Sequence, residues 1–195
     1  MGHSPSAYKL DFSIPHDVER KVLEMSNESS QEVIQRYLED AIAAERNFET
    51  QLKTFSKEGE QTPVQNLFAE HAIETKHQHE RLAARLHALG GSPSTVKSFF
   101  AHIFNFAPKV AQLGHDPSEK NSQDLIIAFA IENSEIAMYE ELAIVAGFAG
   151  DTETERLART IQEEERAAAK KVWNLIDASC RQSFMRVTTN HANMA

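Results

Sequence analysis

The sequence predicts an all-α protein built as an antiparallel four-helix bundle, and three observations lead there. Stretches 16–58, 64–89, 118–146 and 151–195 contain neither glycine nor proline, and the breakers between them mark helix ends. No run of alternating β-branched residues competes with that helical periodicity. Two short connections flank one long one, which fixes how the four helices are joined.

The first helix, α1, is expected over about 30–57, with Ser29 and Glu32 in the spacing of a capping box. The second, α2, is expected over about 63–89, with Thr62 as cap and Pro63 in the first turn. Next, α3 is expected over about 123–147 after Ser122, and α4 over about 152–179 after Asp151. Between α2 and α3 lies a Phe-rich crossover near 94–113, read as holding an extra helix. Residues 1–29 are read as an N-terminal tail with a short helix near 16–25, 30–180 as the bundle and 181–195 as a C-terminal tail. Two hairpins joined by one long crossover is the ferritin-like connection.

A chain of 195 residues suits one domain. With 41% hydrophobic and 25% charged residues it has the balance of a globular protein, not of a disordered one. No apolar run approaches the roughly 18 residues of a membrane span, and no basic segment precedes an apolar one at the start, so no membrane anchor or secretory signal is expected. The net charge of −9 disfavours nucleic acid and anionic lipid as partners. Cys180 stands alone and cannot form an internal disulfide, which makes a reducing, cytoplasmic location the expectation.

Because a helix turns about 100° per residue, buried stripes can be traced. In α1, Ile34, Leu38, Ala41, Ile42, Phe48, Leu52 and Phe55 align, and Glu45 falls among them. In α2, Val64, Leu67, Leu82, Leu86 and Leu89 align, with His71 and Gln78 on the same line and Glu74 beside it. In α3, Leu125, Phe129, Ile136, Tyr139 and Ala143 form a face that receives Glu132 and Glu135. In α4, Leu157, Ile161, Ala168, Val172 and Leu175 align around Glu164, while Glu163 and Glu165 are expected to point away.

One glutamate at the edge of a stripe is ordinary, since its stem can reach water. Four helices each sending one inward is not. An ionised carboxylate in an apolar interior costs several kcal/mol, against a net domain stability of about 5–15 kcal/mol. No inward lysine or arginine is placed to neutralise the set. Two divalent cations would, and oxygen donors with a little imidazole suit iron or manganese.

The expected metal ligands are Glu45, His71, Glu74, Glu132, Glu135 and Glu164, with Glu74 and Glu164 bridging. Glu74-x-x-His77 has the familiar Glu-x-x-His spacing, but the wheel favours His71 and leaves His77 as fallback. Ala167 stands where a matching histidine of α4 would be needed, and Glu132 is the candidate to replace it. Glu45 to Glu74 and Glu135 to Glu164 are both 29 residues apart, as an internal two-fold would require. Tyr139 and Gln78 are read either as hydrogen-bond partners of ligands or as ordinary core residues. Phe99, Phe100, Ile103, Phe104, Phe106, Val110 and Leu113 of the crossover are expected to pack over the bundle as a lid. A second apolar side of α3, Ile127, Ile131, Met138 and Val145, is expected under that crossover or at a subunit contact, with Trp173 nearby.

Several segments carry a family resemblance: Tyr37-Leu38-Glu39-Asp40 through Glu45, Glu70-His71 through Glu74-Thr75, Gln78 to Leu82, Leu89-Gly90-Gly91-Ser92-Pro93, Glu132-Asn133-Ser134-Glu135 through Tyr139, and Gly150-Asp151-Thr152-Glu153 with Glu163-Glu164-Glu165. In order and spacing, over roughly 30–180, the chain resembles the YciE/YciF-type ferritin-like proteins associated with bacterial stress responses. The resemblance implies a homodimer of ferritin-like bundles with a dimetal site. The expectation is therefore a cytoplasmic protein with two metal ions, iron first and manganese or zinc as alternatives. Oxygen or peroxide would be its small-molecule substrate, in ferroxidase or peroxide-scavenging chemistry. The alternative is a non-enzymatic stress or interaction protein with a structural or vestigial metal site.

Overall fold

The computed structural model describes residues 29–93 and 116–194. The helix expected near 16–25 and the Phe-rich crossover, with its extra helix and lid, lie outside the described residues. Four helices run through the rest: α1 Ser30–Phe55, α2 Thr62–Ala88, α3 Lys120–Phe148 and α4 Thr152–Met194, with a 3-10 turn at Pro117–Glu119 leading into α3. The described residues contain no strand. Each hairpin packs along its own length, α1 on α2 and α3 on α4, while α1 meets α3 and α2 meets α4 to close the bundle.

Local chemistry sets the helix ends. Ser29 and Glu32 form the expected capping box. Thr62 is already the first helical residue of α2, and the cap position belongs to Gln61, whose side chain makes no capping bond. That side chain instead donates to Ser179 O at 3.3 Å and Ser183 Oγ at 3.2 Å on α4. α3 begins two residues before the expected cap, because Asp116 and Glu119 close their own capping box around the 3-10 turn; Ser122 lies inside the helix and donates to Glu119 O at 2.7 Å. Asp151 caps α4 as expected, accepting from Thr154 N at 3.0 Å. α4 does not stop near 179. No glycine or proline follows Asp151, and Ser179 and Ser183 are buried where Gln61 reaches them, so residues 181–194 continue the helix instead of forming a tail.

Two polar junctions hold the ends of the bundle. Gly59 turns the chain at φ 75°, and Asn121 Oδ1 accepts from Glu60 N at 2.9 Å and Gln61 N at 3.0 Å. A Cβ on Gly59 would lie 2.2 Å from that oxygen, so only glycine fits between the turn and α3. At the opposite end, Arg85 of α2 donates to Asp151 at 2.7 Å, Glu153 at 2.6 Å and Thr154 at 2.8 Å. Between these junctions the core is packed by Leu38, Phe48, Leu52, Phe68, Leu82, Leu125, Leu142 and Ile161. Ile127, Ile131 and Met138, the second apolar side of α3, belong to the same cluster. Trp173 is largely exposed, with its ring 5.2 Å from that of Phe129.

Asp151→Ala removes both the cap of α4 and a part-buried partner of Arg85. Urea unfolding should show a loss of about 1–2 kcal/mol, whereas Glu153→Ala, at an exposed partner of the same arginine, should cost under about 0.5 kcal/mol.

Candidate metal centre

Midway along the bundle every helix contributes a titratable side chain to one buried cluster: Glu45 from α1, His71 from α2, Glu132 and Glu135 from α3, and Glu165 from α4. None is more than 3% exposed. Glu132 and Glu135 are three residues apart and so share one helical face. The ring of Phe48 meets that of His71 edge-on, with centroids 5.4 Å apart, which sets the imidazole plane. His71 Nδ1 lies 3.2 Å from Glu132 Oε1 but is not aligned for a hydrogen bond. His71, Glu132 and Glu165 each offer one ligand atom, and the three lie within 4.8 Å of one another.

Six atoms of this cluster have no hydrogen-bond partner: Glu45 Oε2, His71 Nδ1, and both oxygens of Glu132 and of Glu135. A buried polar atom left this way costs about 1–3 kcal/mol, so such a set fits a cation. The donors, carboxylate oxygens with one imidazole nitrogen, are those of dimetal carboxylate sites in helical bundles. Other atoms are held by neutral donors. Tyr139 Oη donates to Glu45 Oε1, and Gln78 Nε2 donates to Glu165 Oε1. Both residues, left between two readings by the sequence, therefore hold carboxylates of the buried cluster.

Burial pushes the carboxyl groups of Glu45, Glu132 and Glu135 well above their ordinary value, and repulsion within the cluster adds to it. Burial also raises Glu165, to about 7. His71 is lowered by burial to about 4, with Glu74 opposing the shift and Lys171 adding to it. The imidazole is thus neutral at physiological pH, with a lone pair free for a metal. Tyr139 is raised by burial and by Glu45, and so remains a phenol that donates.

Of the six expected ligands, Glu45, His71, Glu132 and Glu135 meet in the cluster, and Glu74 and Glu164 do not. Glu74 is 46% exposed and accepts from Lys171 Nζ at 2.8 Å, and Glu164 is 41% exposed and pairs with both terminal nitrogens of Arg81. With His77 and Ala167 these residues line a groove of about 440 Å³ between α2 and α4. The fallback His77 is thus excluded from the cluster. Glu165, expected to point away, is 1% exposed and takes the place assigned to Glu164.

Glu165 is buried and Glu164 exposed, the reverse of the expected orientations, for a simple reason. Leu157 and Leu175 drew the expected α4 stripe to one side, yet both are only half-buried, while Ala158, Ile161, Ala168 and Val172 are buried with Glu165 among them. Glu164 sits about 100° from Glu165 around the helix, enough to move it from core to rim. Phasing the stripe on Ala158, Ile161 and Val172 instead of on the two leucines would have found Glu165. The equal 29-residue spacings consequently pair a buried glutamate with a groove glutamate in each hairpin. Asp124, also buried, is outside the cluster: Lys120 donates to it, and Asp124 is raised to about 6, by burial above all.

Fold and buried centre together place the protein in the ferritin-like class of helical bundles. Within that class the chain belongs to the family described as Domain of unknown function (DUF892), whose model matches residues 29–185. Among solved structures it is similar to a protein from Xanthomonas campestris pv. campestris, with 25% identity, TM-score 0.67, and coverage of 82% of this chain and 98% of that one. It is also similar to the Escherichia coli stress protein YciF, with 22% identity, TM-score 0.70, and coverage of 80% and 99%. A third is the dodecameric thioferritin, a bacterioferritin-related protein of Bacteroides fragilis, with 20% identity, TM-score 0.63, and coverage of 85% and 95%. No curated protein matches the sequence. Among the described residues no helix is long and apolar enough to cross a membrane.

Stripped of cations by a chelator, the protein should lose stability as pH rises. The folded state keeps protons on Glu45, Glu132, Glu135 and Glu165 that the unfolded chain releases near 4.5. Their stabilisation is complete below that value and is lost as pH climbs through about 7, the folded value of Glu165. Urea midpoints should be lower at pH about 8 than at about 5.5, and excess divalent cation should reverse the order, because binding requires the ionised forms.

Proposed function

We propose that this protein is a dimetal carboxylate protein, with iron as its leading cation, that oxidises ferrous iron or consumes peroxide. The observation that carries the reading is the convergence of four buried carboxylates and a neutral imidazole, with six unpartnered atoms, from all four helices. Two divalent cations balance four carboxylates by formal charge. His71, Glu132 and Glu165 would hold one cation, and Glu45 and Glu135 bring the remaining carboxylates for a second. Iron bound there would supply the electrons that reduce oxygen or peroxide, passing from its ferrous to its ferric state.

The chain's own residues have definite parts in this. Tyr139 and Gln78 each hold one carboxylate oxygen with a neutral donor, which fixes the ligand without competing for its charge. Phe48, Leu82 and Ile161, all fully buried, keep the centre dry and strengthen its electrostatics. The reading extends to a homodimer acting in the cytoplasm under stress. The similarity to a stress protein supports the setting, and α3 exposes Ile126, Ile144 and Phe148 for a subunit contact.

Metal analysis of the purified protein should give two ions per chain. Protein loaded anaerobically with ferrous iron and then given air or peroxide should consume it, followed at an oxygen or peroxide electrode. Bound metal without consumption would reject the redox chemistry and leave a structural metal in a stress or interaction protein. Glu132→Gln should weaken metal binding by at least about tenfold. It should also stabilise the stripped protein at pH about 8 by on the order of 1 kcal/mol, since it removes a buried charge.

A further inference from the structure

We infer that the groove between α2 and α4 is the port through which a divalent cation reaches the buried centre, with Glu74 and Glu164 as relay carboxylates that exchange Lys171 and Arg81 for the arriving ion. The inference rests on the cluster below being a metal centre and adds the route to it.

The two carboxylates lie on opposite walls of the groove, and each is paired with a cation from the other wall. Lys171 of α4 reaches Glu74 of α2 at 2.8 Å, and Arg81 of α2 reaches Glu164 of α4 at 3.0 Å. Both acids are roughly half exposed, at 46% and 41%. The single-point Lys171–Glu74 pair is of the weak, exposed kind that exchanges partners readily, while the two-point Arg81 fork on Glu164 is the firmer of the two. The walls are therefore lined with carboxylates that solvent cations can compete for, above a centre whose own carboxylates are sealed off.

A buried side chain ties the groove to that centre. Gln78 is 2% exposed, and its Nε2 donates both to Glu164 Oε2, at 3.3 Å, and to Glu165 Oε1, while its Oε1 is buried with no partner. The Gln78 amide thus links a groove carboxylate to a carboxylate of the cluster, and its own oxygen is a buried acceptor left unpartnered at that link. The groove charges are also felt inside, Glu74 at His71 and both groove acids at Glu165. Ala167 leaves space where an imidazole would have closed the path.

The test uses the full-length, chelator-stripped protein and cobalt(II) as probe, with uptake followed by stopped-flow absorbance and affinity by equilibrium titration. The double variant E74Q/E164Q should take up cobalt at least about tenfold more slowly at low ionic strength, the difference shrinking as salt is added. Its equilibrium affinity should stay within about threefold of the parent, because the cluster is intact. K171Q, which frees Glu74, should accelerate uptake. Ala167→Phe, which fills the groove without touching a charge, should slow it. Unchanged rates in the double variant and in Ala167→Phe would overturn the port. So would a loss of affinity matching the loss of rate, since the groove acids would then be ligands. A parent protein that takes up no cobalt at equilibrium would remove the metal centre itself, and the port with it, before any variant is compared.

Discussion

Everything in this bundle is arranged around the cost of holding four carboxylates together out of water. Glu45, Glu132, Glu135 and Glu165 are fully buried at one level, where the penalty for charge rivals the whole stability of an ordinary domain. The helices that bring them together are therefore fastened elsewhere. Asn121 locks the α1–α2 turn to α3, Gln61 clamps the extension of α4, and Arg85 ties α2 to the α3–α4 turn. Ends that are polar and satisfied keep a strained middle in place.

The same chain shows how it treats a buried carboxylate that has no ligand to wait for. Asp124 is as buried as Glu135, yet Lys120 from the preceding helical turn donates to both of its oxygens. In the central cluster the donors are instead a phenol and an amide. Among the described residues the nearby cations are spent outside it, Arg81 on Glu164 and Lys171 on Glu74. A lysine among the four glutamates would occupy one of them permanently. Neutral donors orient a carboxylate while leaving its charge available, which is the arrangement a metal centre requires.

The family match and the structural similarities agree on the architecture over most of the chain. At 20–25% identity they speak to the fold, and the chemistry is argued from the buried donors themselves. That division matters because helical bundles host many activities, and the side chains at the centre decide which one a given bundle supports.

The all-α class, the two hairpins and most of the core were legible because large aliphatic residues recur at helical period and breakers fall between them. α1 was read in the correct phase, since Leu38, Phe48 and Leu52 sit in its buried face with Glu45. On α3 Leu125, Tyr139, Glu132 and Glu135 are buried as expected, but Phe129 and Ile136 are half-buried and the core face extends to Ile127, Ile131 and Met138. On α2 His71 lies on the buried line where the helical wheel put it. Which of Glu164 and Glu165 is buried, the exposure of Glu74, and the continuation of α4 to Met194 were decided by packing. Hydropathy weights large side chains, whereas a tightly packed helix centre is built from alanine and glutamine as readily as from leucine. A rotation of one residue, invisible to composition, separates a carboxylate in the core from one in the groove.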